Sequence, residues 1–177
     1  MAIKLALFAS GSGSNAENII RFFAEKHKIE VVLVVSSRSD AFVLDRAERL
    51  NIPSCVLTRD DMNNTPDKVM GILKEYQVDF IVLAGYLLKV PDYLIHAFPN
   101  AIINIHPALL PKYGVMYGDM CIRRWLPSER IRITIHYVIS IMTKDRLFSK
   151  PDARYCLLTL SAMLPEKYEL EYAHFPK

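Results

Sequence analysis

Three runs, residues 3–9 (IKLALFA), 30–36 (EVVLVVS) and 79–84 (DFIVLA), are apolar without strand-like alternation, so both faces of each strand must be buried. Between them the period changes. Ile19, Ile20, Phe22 and Phe23 recur at helical spacing in a helix that begins near Asn15 and ends near Lys28. A second helix is expected over 40–50, with Phe42, Val43, Leu44 and Ala47 on its inner side. A short strand over 54–57, a polar loop and a third helix over 66–76 follow. Strands buried on both faces and alternating with amphipathic helices specify one α/β architecture. It is a doubly wound, mainly parallel sheet with helices on both faces. Such a sheet receives ligands beyond the carboxyl ends of its strands, here in the loops after residues 9, 36, 84 and 105.

A chain of 177 residues has room for one such domain, so residues 1–177 are read as a single unit. The net charge of +3 gives no bulk electrostatic grip on nucleic acid. No apolar run reaches the roughly 18–20 residues of a membrane span, and a cytoplasmic protein is expected. Three cysteines without metal-type spacing imply neither a disulfide framework nor a zinc site. The charge is unevenly spread, however. Residues 1–110 carry 11 basic and 12 acidic side chains, and residues 111–177 carry 11 and 7.

Three loops carry candidate chemistry. Residues 10–15 (SGSGSN) join the first strand to a helix whose N–H groups and positive dipole end face the loop, a place suited to phosphate. They match neither the Walker pattern nor the dinucleotide GxGxxG, and a tight turn with a Ser or Asn cap is the plainer reading. In residues 101–107 (AIINIHP), Asn104 and His106 lie two apart and share one face of a strand, and Pro107 ends that strand directly after the imidazole. An amide donor beside a group that moves protons near neutral pH suits acyl-type chemistry, in which an oxyanion is stabilised and a proton transferred. A hydrogen-bonded histidine at a strand end is the alternative. Residues 85–91 (GYLLKVP) could cradle a flat heterocycle, or simply feed a helix.

Taken together, FASGSGSN, VLAGYLLKVP and INIHPALLPKYG resemble the motifs of the phosphoribosylglycinamide formyltransferases in order and spacing. The resemblance runs from residue 1 to about 119 and returns at ITIHYV (133–138) and LEYAHFP (170–176). It implies a Rossmann-like formyltransferase fold. It also implies formyl transfer from 10-formyltetrahydrofolate, as co-substrate, to the amine of 5'-phosphoribosylglycinamide in purine biosynthesis. Gly13, Ser14 and Asn15 would hold the substrate phosphate, with Glu171 at the ribose. Leu87, Leu88, Lys89 and Val90, with Asn104, would line the pterin site, and Asn104 and His106 would be catalytic. The implied partners are small molecules, with no metal, nucleic acid or membrane, in a monomer or homodimer.

The chain also departs from that pattern. The family's third catalytic group is an Asp seven positions after the His of the HYV-type strand, and seven positions after His136 stands Thr143. Thr cannot supply the charge that orients an imidazole and raises its pKa. Residues 120–127 and 139–157 are unlike the family throughout. Codons can be chosen that spell NQHYDEGSLIFQARCEVLP in one frame and residues 139–157 as written when read one base later. The same offset converts HVHQAVVA into residues 120–127. The shifted frame restores an Asp at position 143. Trp125, two of the three cysteines and six of the late basic residues fall in these two segments. Gly114-Val115-Met116 is also shorter than the family's glycine-rich turn, and the family's last helix is expected to be truncated at Lys177.

Two further readings remain open at this level. One is a catalytically impaired phosphate- or nucleotide-binding homologue that lacks the Asp. The other is a formyltransferase domain acting on aminoacyl-tRNA, disfavoured by the Ser/Gly loop, the near-neutral charge and the expected lack of an RNA-binding domain. Peptide mapping tests the altered frame, which predicts that peptides carrying Met120 to Pro127 or Ile139 to Lys144 as written will be absent. Their detection would overturn it.

Overall fold

The computed structural model describes residues 2–25, 27–106 and 134–138. The chain divides into two units, residues 1–104 with 138–142 and residues 105–137 with 143–177. The elements in order are β1 (Ile3–Ala9), α1 (Ser14–Phe23), β2 (Ile29–Ser36), α2 (Val43–Arg49), β3 (Ser54–Val56), α3 (Arg59–Asn64), α4 (Pro66–Glu75), β4 (Phe80–Leu83), α5 (Asp92–Ala97), β5 (Ile102–His106) and β6 (Thr134–Tyr137). Among the described residues no helix is long and apolar enough to cross a membrane.

In the first unit the strand order is β3-β2-β1-β4-β5, and every pairing in it is parallel. The α/β sheet read from the apolar runs is therefore present, with β1 at its centre. Leu5 to Ala9 are all buried, as a strand covered on both faces must be. On one face Ala6, Phe8, Leu33, Val35, Ile81, Leu83 and Ile102 form a core with Met62 of α3, Val69 and Leu73 of α4, and Leu94 of α5. The alternate residues Leu5, Leu7, Ala9 and Val34 lie on the other face and are also buried. Burying each such side chain stabilises the fold by about 1.5–3 kcal/mol before the entropy of ordering is subtracted.

The helices depart from the periodicity in three places. The first ends at Phe23, five residues before the expected end near Lys28; Ala24 is its C-cap and still donates its N–H to the Ile20 carbonyl at 3.0 Å. The second starts at Val43, not at residue 40. Phe42, expected on the inner side, is 45% exposed, and its ring lies 5.0 Å from the Arg46 and Arg49 guanidinium carbons. Residues 42, 46 and 49 share an outer stripe, so the cations claim the ring while Val43 and Ala47 turn inward. The polar stretch after β3 contains α3, a helix that apolar periodicity does not reveal.

A capping box starts α3. The Thr58 hydroxyl accepts from the Asp61 N–H (3.2 Å), and the Asp61 carboxylate accepts from the Thr58 N–H (2.9 Å). Lys68 also donates to Asp61 at 2.6 Å, and these bonds lower its carboxyl from 3.8 to about 2. Thr58→Ala should cost about 1 kcal/mol in urea unfolding, the usual cost of losing a cap. A depressed carboxyl pKa stabilises the fold above the unfolded value, and that contribution is lost as pH falls through the folded one. In Asp61→Asn, the part of the acid destabilisation lying between about pH 4 and pH 2 should shrink; an unchanged pH profile would contradict this role for Asp61.

Candidate functional site

β1 is hydrogen-bonded to β2 on one side and to β4 on the other, so the strand order reverses beside it. At such a reversal the connections from neighbouring strands leave in opposite directions, and α/β proteins place their ligands at this carboxyl edge. The loops after β1, β2 and β4 all lie at this edge, as the sequence indicated.

The loop after β1 leads into a helix start that has no side-chain cap. Gly13 is the N-cap of α1 in the left-handed conformation (φ 73°), and no side chain caps the helix. The loop's carbonyls, in contrast, are occupied from within. Gly11 O accepts from the Val43 N–H at 3.1 Å, Ser12 O from Arg46 Nε at 2.8 Å, and Gly13 O from the Glu17 N–H at 2.9 Å. Acceptors that would repel an anion are thus engaged on the α2 side and within α1. The first N–H groups of a ten-residue helix then stand at a loop with exposed Gly11, Ser12 and Ser14 and half-buried Asn15. Glu17, the one acid in the first turn, is held by Arg21 (2.8 Å) and by Arg46, which offsets its charge near the loop.

Of the four residues assigned to a heterocycle, Leu87 is 60% exposed, Lys89 is exposed and Leu88 is half-buried. Val90 is 6% exposed and packs in the core, so only its backbone can face the crevice. Tyr86 lies edge-on to Phe8, with ring centroids 5.3 Å apart, and burial raises its phenol pKa above the usual tyrosine range.

Asn104 is half-buried on β5 and pairs in register with Leu83, which pairs with Phe8, which pairs with Val35. A polar amide therefore ends an otherwise apolar row that crosses the sheet from β2 to β5. The backbone of His106 closes β5, and its side chain lies outside the described atoms, as does that of His136 on β6. Glu171, Thr143, the turn at residues 114–116 and the segments 120–127 and 139–157 lie outside the described residues. Among the described residues no group of His, Cys, Asp and Glu could hold a metal.

Sequence reasoning missed several polar groups here. Ser36 is fully buried and turns its hydroxyl onto its own loop, donating to the Arg38 carbonyl (2.8 Å) and accepting from the Arg38 N–H (3.2 Å). Arg38 then pairs with Asp40 at 2.6 Å, which holds that exposed carboxyl below its ordinary range. Ser10 and Arg46 also act at the edge, through partners 27 to 77 residues away, and only three-dimensional proximity identifies them.

A family model described as formyl transferase matches residues 3–143. Over 160 residues the chain is 39% identical to the chloroplastic phosphoribosylglycinamide formyltransferase of Arabidopsis thaliana, covering 85% of this chain and 55% of that protein. Over 140 residues it is 36% identical to the phosphoribosylglycinamide formyltransferase of Bacillus subtilis (strain 168), covering 76% and 71%. Solved structures resemble it as well. The phosphoribosylglycinamide formyltransferase from Anaplasma phagocytophilum has a TM-score of 0.68 at 27% identity, covering 80% of this chain and 67% of that one. The one from Bacillus halodurans has a TM-score of 0.64 at 37% identity, covering 79% and 74%. The chain spans between 55% and 71% of the length of the two curated relatives. These comparisons lend no support to the non-catalytic alternative.

The loop geometry makes one position critical. A Cβ at Gly13 would come within 2.8 Å of the Val43 Cα, and the positive φ disfavours any L side chain. Gly13→Ala should cost about 1–3 kcal/mol of stability, from strain and overpacking. It should also weaken binding of inorganic phosphate at least tenfold by calorimetry. Unchanged stability and binding would contradict the loop's conformation.

Proposed function

The chain belongs to the formyl transferase family, alongside the phosphoribosylglycinamide formyltransferases, and on that footing we propose that it transfers a formyl group from 10-formyltetrahydrofolate to the amine of 5'-phosphoribosylglycinamide. This is a step of de novo purine biosynthesis, assigned here to one domain over residues 1–177 working on small molecules in the cytoplasm. The observation that carries the reading is the uncapped start of α1 at Gly13, joined through Ser10 to the Gly85–Val90 loop where the strand order reverses.

In this reading the substrate phosphate sits on Gly13, Ser14 and Asn15, with Glu171 at the ribose, and the pterin lies along Leu87 to Val90. Fixing the phosphate at the loop and the pterin at its neighbour brings amine and formyl carbon together without a covalent enzyme intermediate. The amine attacks the formyl carbon. The Asn104 amide and the His106 imidazole polarise the formyl oxygen and stabilise the tetrahedral oxyanion. Collapse breaks the bond to N10 of the folate, which takes up the proton that the amine loses. The products are the formylated amide and tetrahydrofolate.

His106→Ala should lower kcat by about 10²–10⁴-fold, the usual range for a positioned proton-transfer group. Calorimetric Kd for phosphoribosylglycinamide should stay within twofold, because that ligand is held at the other loop. An unchanged kcat in stopped-time assays would refute the assignment.

A further inference from the structure

The phosphate loop and the Gly85–Val90 loop meet through one side chain. Ser10, directly after β1, is 3% exposed. Its N–H donates to the Gly85 carbonyl at 3.1 Å, extending the pairing in which Ala84 N–H donates to the Phe8 carbonyl at 2.8 Å. Its hydroxyl oxygen accepts from the Leu87 N–H at 2.9 Å and from the Ser37 hydroxyl at 2.6 Å. The chains leaving β1, β2 and β4 are therefore tied at a single oxygen.

We infer that Ser10 is a positioning residue for formyl transfer, its hydroxyl fixing the Leu87–Val90 backbone relative to Gly13–Asn15 and so one reactant relative to the other. The inference rests on the function proposed above. It follows from what does and does not hold each loop. Any residue at position 10 keeps the backbone bond to Gly85. Beyond Gly85 the chain turns through a positive φ of 82°, and Leu87, 60% exposed, has little apolar packing to fix it. The bond from its amide to Ser10 Oγ reaches back across 77 residues to the phosphate loop's first residue. The phosphate loop itself is secured differently, by Val43 N–H on Gly11 O, Arg46 on Ser12 O and Glu17 N–H on Gly13 O. None of these bonds passes through the Ser10 hydroxyl, so its loss should release the Leu87 amide and the Ser37 hydroxyl while the phosphate loop stays held.

The test compares Ser10→Ala, Ser10→Thr and Ser37→Ala with the unsubstituted protein, reading KM for each substrate, kcat, and hydrogen exchange of the Leu87 amide. Ser10→Ala leaves a part-buried N–H without its acceptor, so KM for 10-formyltetrahydrofolate should rise about tenfold. Its kcat should fall as the reactants lose alignment. KM for phosphoribosylglycinamide should stay within twofold, and the Leu87 amide should exchange faster. Ser10→Thr, which keeps the hydroxyl, should restore the folate KM, and Ser37→Ala should keep Leu87 protected. A folate KM unchanged in Ser10→Ala, or both KM values rising together as in general destabilisation, overturns the inference. So does free exchange of the Leu87 amide in the unsubstituted protein, a check independent of any variant. Failure of the unsubstituted protein to transfer formyl would contradict the proposed function, while Leu87 exchange would still decide whether Ser10 holds that loop.

Discussion

Hydrogen bonding of β1 on both of its edges sets the geometry of the whole carboxyl rim. The Phe8 row pairs with Val35 on one side and Leu83 on the other, and the burial of Leu5 to Ala9 packs the strand between two covered faces. The first residue after it, Ser10, thus emerges at a defined height beside both Ser37 and Gly85. The strand order reverses beside β1, the place where α/β sheets receive their ligands. Core packing and site geometry are consequences of the same strand.

The electrostatics of the rim follow from backbone polarity more than from charged side chains. Arg46 reaches the loop only to hold the Ser12 carbonyl and the Glu17 carboxylate. Its ring contact with Phe42 adds a third restraint. With the carbonyls of Gly11, Ser12 and Gly13 engaged, the start of α1 presents N–H donors, the feature on which the proposed phosphate site rests. That accords with the absence of a Walker pattern in residues 10–15 and with a protein of near-neutral charge.

Much of this was legible in the sequence where local chemistry decides structure. Runs apolar on both faces identify β1, β2 and β4, and the glycine-rich turn marks the start of α1. The short polar α3 escaped because its signal is a Thr-x-x-Asp cap, not an apolar stripe. Phe42 was misplaced because periodicity finds a stripe but cannot tell that two arginines on the same stripe will hold an aromatic ring outside. Ser10 and Arg46 were illegible for a different reason: their partners are brought together by strand order, which no local pattern encodes. The Asn104 position was legible from its two-residue spacing to His106 and from the proline that follows. The late basic excess reads most simply as the composition of segments 120–127 and 139–157, without invoking a charged partner.

In the proposed function, the α1 end and the Gly85–Val90 loop serve two reactants of one formyl transfer. Mixing the unsubstituted protein with phosphoribosylglycinamide and 10-formyltetrahydrofolate, and following both products, tests it most directly. Formylated amide and tetrahydrofolate should appear in equal amounts, at a rate that saturates in each substrate. Saturable binding of phosphoribosylglycinamide with no formylated product would contradict it.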